Sequence, residues 1–289
     1  MDFAFLLVTA APLIYAALGE VIGQRSGVLN IGIEGMMLVG AFFGFLVAGK
    51  TGSWPLGFGI GAACGLLLAI ISSVFTVKLA ADQVVVGTAI NFLALGVTGL
   101  GFRRAYGQSG QLLTSPELPR IWGIDPMLVV AFLLIPLVWW LIQRTKWGLA
   151  LRGCGEYPAA VETSGFSVNR IRIQALLFGG MLAGLGGAYL SLAVAGSFAE
   201  GMTAGRGFLA IALVTFGRWR PIWVALAALA LGYAQSLQYS LQGRPIFGVV
   251  IPAQIWLGLP YVVSLLVLIF VGSGTVTPQA LWKPYRKEG

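Results

Sequence analysis

Apolar residues in this chain run in stretches far longer than a soluble helix needs, and charged residues fall mostly between the stretches. A helix needs about 20 apolar residues to cross the hydrocarbon core of a bilayer. Read against that length, the pattern predicts membrane helices over 3–19, 31–49, 55–77, 83–101, 125–143, 173–195, 207–217, 221–241 and 246–272. The seventh is too short for an ordinary span and reads as a half-helix or re-entrant segment. Pro221 and the Asp125-Pro126 pair suit helix starts, where a missing amide proton costs nothing. The expected fold is an all-α integral membrane protein, a polytopic bundle of about 8–10 transmembrane segments. It forms a single transmembrane domain over 1–289, with 144–172 as its longest polar loop.

Composition narrows the picture to a bilayer. Of 289 residues 58% are hydrophobic and 10% charged, against about 25% charged in soluble domains. There is no His, which excludes His-based metal sites and His general bases. Cys64 and Cys154 suggest neither a disulfide framework nor a zinc site, so no metal or cofactor is expected in this chain. Small residues recur four apart at Gly19, Gly23 and Gly27, at Gly57, Gly61 and Gly65, and at Gly180 and Gly184. Such stripes let helix backbones touch. The start, Met1-Asp2-Phe3, lacks the positive region of a cleaved signal peptide, so the first apolar run reads as a retained helix.

Charge then suggests an orientation. Placing the N-terminus outside puts Arg25, Lys78, Arg144, Lys146, Arg152, Arg170, Arg172, Arg218, Arg220, Lys283, Arg286 and Lys287 in the cytoplasm. Lys50, Arg103, Arg104, Arg120, Arg206 and Arg244 stay outside. That bias supports N-out, C-in; a re-entrant seventh segment would swap the later loops. Lys and Arg facing anionic lipid account for the net charge of +8 without a nucleic-acid partner. Trp54 and Trp122 fall near outer boundaries and Trp147, Trp219, Trp223 and Trp282 near inner ones, as interfacial anchors do.

One motif is a decoy. Gly44 to Thr51, with Gly49 and Lys50, matches the phosphate-binding loop pattern. That loop needs a strand before it and a helix after it; here a hydrophobic helix precedes and Gly52-Ser53-Trp54-Pro55 follows. Catalysis has no better footing, because the carboxylates are scattered and neither cysteine has an activating neighbour. The loop 144–172 is more informative. Pro158 at a first helical turn, with Glu156 beside it, starts a short helix through Ala159 to Thr163 that Gly165 stops. A helix that short does not stand alone in water, so either the membrane domain or a docked partner holds it.

These residues carry a resemblance. The stretch Gly153-x-x-Glu156-Tyr157-Pro158-Ala159-Ala160-x(4)-Gly165 resembles the coupling loop of permeases in ATP-binding-cassette importers, in the branch for branched-chain amino acids, simple sugars and nucleosides. Gly19-Glu20-x-x-Gly23-x-Arg25-Ser26-Gly27-Val28-Leu29-Asn30-Ile31-Gly32-Ile33-Glu34-Gly35 is similar to the stretch that opens the second helix of nucleoside-type permeases. Asp82 to Asn91 and Gly207 to Leu213 add to the match, which covers nearly the whole chain in order. The length is that of the shorter of two paired permeases. Gln24-Arg25 stands where the family has Glu-Arg, with Glu20 four residues earlier.

The resemblance implies an importer subunit in a prokaryotic inner membrane that forms half of a nucleoside path. Its implied partners are a second related permease, a cytosolic ATPase that holds the ATP and Mg, and an extracytoplasmic substrate-binding protein. Glu156, Tyr157, Pro158, Ala159 and Ala160 would touch the ATPase, with Gly153 and Gly165 shaping the loop and Arg152 and Glu162 flanking it. A simple-sugar cargo and an ion-coupled carrier are the alternatives, the latter resting on Glu34 and the short 207–217 segment.

Within the bilayer, Glu34 is expected to be the only acid inside a span. With Asn30 it either lines the path or caps a broken helix or pairs with Arg25. Asn91, Gln174, Gln235, Gln238 and Gln254 each either bind cargo in passing or join two helices. Phe92, with Phe42, Phe43, Phe178, Tyr233 and Trp256, is an aromatic that either stacks on a base or faces lipid and core.

Overall fold

The structure, a computed structural model, describes residues 3–107, 116, 118–121, 123–242, 245–246, 249–250, 252, 255–256, 258–271 and 277–285. In chain order its helices are α1 (Phe3–Arg25), α2 (Ile33–Thr51), α3 (Trp54–Ser73), α4 (Gln83–Tyr106) and α5 (Pro126–Arg144). They continue with α6 (Lys146–Glu156), α7 (Pro158–Thr163), α8 (Val168–Tyr189), α9 (Arg206–Phe216), α10 (Pro221–Leu241) and α11 (Leu259–Val271). Wider π turns lengthen α3 over Val74–Lys78 and α8 over Leu190–Val194. A two-residue strand pair, Pro245–Ile246 with Val249–Val250, precedes α11. Six of these helices, α1 to α5 and α8 with the π turns counted in, are long and apolar enough to cross a membrane. At 1.5 Å per residue α1 reaches about 35 Å, against a hydrocarbon core of about 30 Å.

The helices begin where their first amides find acceptors. Asp82 accepts from the Val84 and Val85 amides, and Asp125 from the Leu128 amide and the Tyr189 hydroxyl. Helix α8 is the centre, packed on α1, α2 and α3. Lipid tails are as apolar as leucine, so helices in a bilayer associate by close van der Waals contact rather than by burial from water. The glycine stripes supply that contact. A Cβ on Gly184 would run into the Gly61 carbonyl, and one on Gly65 into the Gly180 carbonyl. The outward faces carry large apolar residues such as Leu67, Leu100, Leu133 and Ile269, as lipid contact requires.

Several expectations are corrected. The first span, expected over 3–19, runs on to Arg25, so Glu20 lies inside it and Glu34 is not the only acid in a span. Hydropathy ends a span at a charge; here the chain stays helical because Glu20 is buried against polar partners. The stretch 246–272 is helical only from Leu259 among its described residues apart from 255–256, with the strand pair ahead of it. The loop 144–172 holds a further helix, α6, which its glycines Gly148, Gly153 and Gly155 concealed. Trp219 is 2% exposed and not an interfacial anchor; its indole donates to Gln24 Oε1. Trp122, Arg244, Gln254, Arg286 and Lys287 lie outside the described residues.

Candidate functional site

Two regions gather the residues singled out in the sequence. The first is a break between α1 and α2. Helix α1 ends in a Schellman turn: Gly27, at φ +88°, donates to Gln24 O, and the Val28 amide donates to Gly23 O. Residues 26–32 are then non-helical yet almost wholly buried. Buried irregular backbone must find its hydrogen bonds elsewhere than in a helix ladder, and side chains supply several of them here. Gln83 accepts from the Leu29 amide at 2.9 Å, and Glu20 from the Asn30 amide at 3.2 Å. Asn91 donates to Ile31 O at 3.0 Å and accepts from the Gly35 amide at 2.8 Å. Arg172, 2% exposed, donates through Nε to Ser26 O.

Glu34 sits in the first turn of α2 and reaches across to α9. Its Oε1 accepts from the Gly205 amide at 2.8 Å and its Oε2 from the Gly207 amide at 2.6 Å. One carboxylate thereby meets the positive ends of two helices, α2 by position and α9 by direct capping. At its other end α9 turns into α10 through Arg218 and Trp219, both at positive φ. That turn is tied to the foot of α1, where Arg25 Nε donates to Trp219 O at 3.0 Å. The α9–α10 turn therefore lies at the same end of the bundle as Arg25. An α9 of 11 residues spans about 16 Å, half the hydrocarbon core.

Asn30, Glu34 and Asn91 thus come together at this break, and Phe92 does not join them. Phe92 is 69% exposed on the outer face of α4. Asn91 joins α4 to α2, and Gln174 accepts from the Trp147 indole; both are helix-to-helix contacts. Asn30 Oδ1 is buried without a partner among the described residues.

The second region is α7 and its support. Its C-terminus is another Schellman turn, with Gly165 at φ +87° donating to Glu162 O and the Phe166 amide to Val161 O. Val161 is the buried residue of α7 and packs where Gly153 leaves room for it. Glu162 accepts from the Val168 amide at 2.9 Å, fastening the loop to the start of α8. Arg152 donates to Gly148 O and Gln143 Oε1. Glu156, Tyr157, Ala159, Ala160 and Gly165 are exposed and Pro158 half-exposed, so the outer face of α7 is open. Beneath it Arg172 also donates to Lys283 O and Cys154 O, and the Ala280 amide donates to Gly155 O. The segment 277–285 and α6 therefore form a braced floor under α7. A cleft of about 340 Å³ opens beside it, between Tyr157, Pro158 and Ala159 on one side and Ala280, Lys283 and Tyr285 on the other. Cys154 belongs to that floor: burial, which outweighs the nearby Arg172, pushes its thiol up to about 11.

Sequence reasoning missed Glu20, Gln83 and Arg172 as supports of the break. The usable signal was the run from Glu20 to Glu34 itself, which places several polar residues at a depth where lipid tolerates few.

Comparison with known proteins shows the family. The profile of the family described as the branched-chain amino acid transport system permease component matches residues 3–272. The guanosine ABC transporter permease protein NupQ of Bacillus subtilis is 35% identical over 97% of this chain and 95% of its own length. The nucleoside ABC transporter permease protein NupC of Lactococcus lactis is 33% identical over 96% and 94%. A Haloferax volcanii protein provisionally named a glucose ABC transporter permease is 36% identical over 96% and 95%. In the two bacteria a second permease also matches: NupP at 29% over 76% of this chain and 69% of its own length, and NupB at 22% over 80% and 70%. No solved structure matches the chain significantly.

Proposed function

The chain belongs to the family of branched-chain amino acid transport system permease components, and from that premise we propose that it is a transmembrane subunit of an importer for nucleosides, driven by a separate ATP-binding-cassette ATPase. The observation that carries this reading is end-to-end similarity to permeases named for guanosine and for nucleosides. The presence of two related permeases in each of those bacteria supports a heterodimer with a second permease.

On this reading α7 is the coupling helix. The ATPase seats on Glu156, Tyr157, Pro158, Ala159 and Ala160, whose outward face is open while Val161 grips the floor. ATP and Mg bind in the ATPase, and an extracytoplasmic protein delivers the cargo. The end bearing Arg25, Arg152, Arg218, Arg220 and Lys283 faces the cytoplasm of a prokaryotic inner membrane, which leaves the N-terminus outside. ATP-driven closure of the ATPase would push on the α6–α7 floor. Arg172 joins that floor to the α1–α2 break, and Glu34 joins the break to α9. The polar node of Asn30, Glu34 and Asn91 then acts as a joint of the path.

A strain lacking this chain and other uridine carriers tests the assignment by uptake of labelled uridine. Uptake should vanish on deletion, return on complementation, and be competed by adenosine but not by ribose or leucine. Unchanged uptake in the deletion strain would overturn the nucleoside cargo. The provisional glucose name of one relative favours sugar as the second reading, tested by labelled glucose in the same strains.

A further inference from the structure

A cavity of about 550 Å³ opens at the end of the bundle opposite α7. Its walls are the start of α1, the π turn after α8, the segment before α9, and the last turns of α10. Gln235, Gln238 and Gln242 line it at spacings i, i+3 and i+7, so they form one stripe on α10. Gln235 is only 5% exposed and Gln238 7%, yet neither side chain hydrogen-bonds another described residue. In this they differ from Asn91 and Gln174, whose amides join helices. Helix-to-helix pairing therefore does not account for them. Both line the cavity and neither amide is sealed in the packing, so these two face water or a polar solute.

The remaining lining says what kind of solute. Arg206 is the charged residue among the lining ones, and its guanidinium is already held by Met202 O, Thr203 O and the Tyr239 hydroxyl. Those acceptors are neutral, so the guanidinium keeps its positive charge at the cavity wall, and none of the described lining residues is acidic. Phe5 and Tyr239 meet edge to face at 6.2 Å and form an aromatic wall beside the glutamines. Amides with two donors and two acceptors each, beside aromatic faces, match the edges and face of a nucleobase.

We propose that this cavity is the outward-end cargo site of the permease, with Gln235 and Gln238 contacting the hydrogen-bonding edges of a nucleoside's base. The proposal rests on the importer reading above and deepens it.

The test uses the complete transporter in cells without other nucleoside carriers, with labelled guanosine as probe and inosine, guanine and ribose as competitors. Gln235→Leu and Gln238→Leu keep the volume and remove the amides; Gln235→Asn and Gln238→Asn keep an amide and carry the test if a leucine variant fails to reach the membrane. Each leucine variant should raise the half-saturation concentration about fivefold to tenfold, at unchanged membrane abundance, and lower the preference for guanosine over inosine. The asparagine variants should retain more of that preference. Half-saturation and preference both unchanged would overturn the site, as would a uniform fall in uptake of all nucleosides with the preference intact. Competition by ribose but not by guanine would overturn the base contact. If the wild-type transporter carries no nucleoside at all, the importer assignment fails first and this proposal with it.

Discussion

A single carboxylate holds the most informative position in the chain. Glu34 satisfies two amides at the start of α9 from 171 and 173 residues away. Loss of a helix cap costs about 1–2 kcal/mol, and Glu34→Ala is expected to lower the stability of the purified protein by that amount, read as a drop in the thermal unfolding midpoint. Glu34→Gln keeps one acceptor and should fall between. A midpoint for Glu34→Ala equal to wild type would show that the cap carries no weight. The sequence already pointed at Glu34 as an acid in an apolar run, and offered capping as one of its roles. The partner was not legible, because nothing local links residue 34 to residues 205 and 207. The same limit applies to the amides. Asn91 and Gln235 look alike in a string of letters, and only their surroundings separate a helix contact from an open edge.

At the scale of the element, α7 illustrates a helix defined by its ends. Six residues gain too little from their own hydrogen bonds to persist in water. Pro158 starts it, the Gly165 turn stops it, and Val161 fixes it to the floor. Those start and stop signals were legible in the sequence. The floor was not, since it joins α6, Arg172 and the segment 277–285 from distant parts of the chain. Ala159→Arg, on the exposed face, should leave the fold intact and abolish co-purification of the ATPase. Full co-purification would remove α7 from the docking surface. Cys154 reports on the floor itself. A thiol held above its ordinary value of 9.0 keeps its proton better when folded than when unfolded. Its contribution to stability is therefore complete below pH 9 and lost as pH rises through about 11. At pH 8 Cys154 should resist alkylation in the folded protein and react after unfolding in detergent, read by mass spectrometry. Rapid alkylation of the folded form would mean an open floor.

Across the whole molecule the chain separates its tasks along the bundle axis. Basic residues gather at the α7 end, the glycine-lined centre around α8 gives close backbone contact, and the opposite end opens into the glutamine-lined cavity. The bundle and its approximate spans were readable from apolar run length alone. The break at 26–32 fell largely in the gap between the first two expected spans, but that it is buried and held by Gln83, Glu20 and Asn91 was not legible, because those partners are distant in the chain or were placed outside a span. These parts form one connected route, from α7 through Arg172 to the break and through Glu34 to α9. On the proposed importer reading, movement along that route starts at a docked ATPase.

Uptake of labelled uridine into vesicles holding the complete transporter, with ATP supplied or withheld on the ATPase side and no ion gradient, tests this most directly. The account predicts uptake that requires ATP and is lost in the Ala159→Arg transporter. Uptake that persists without ATP, or that follows an imposed ion gradient instead, would contradict it.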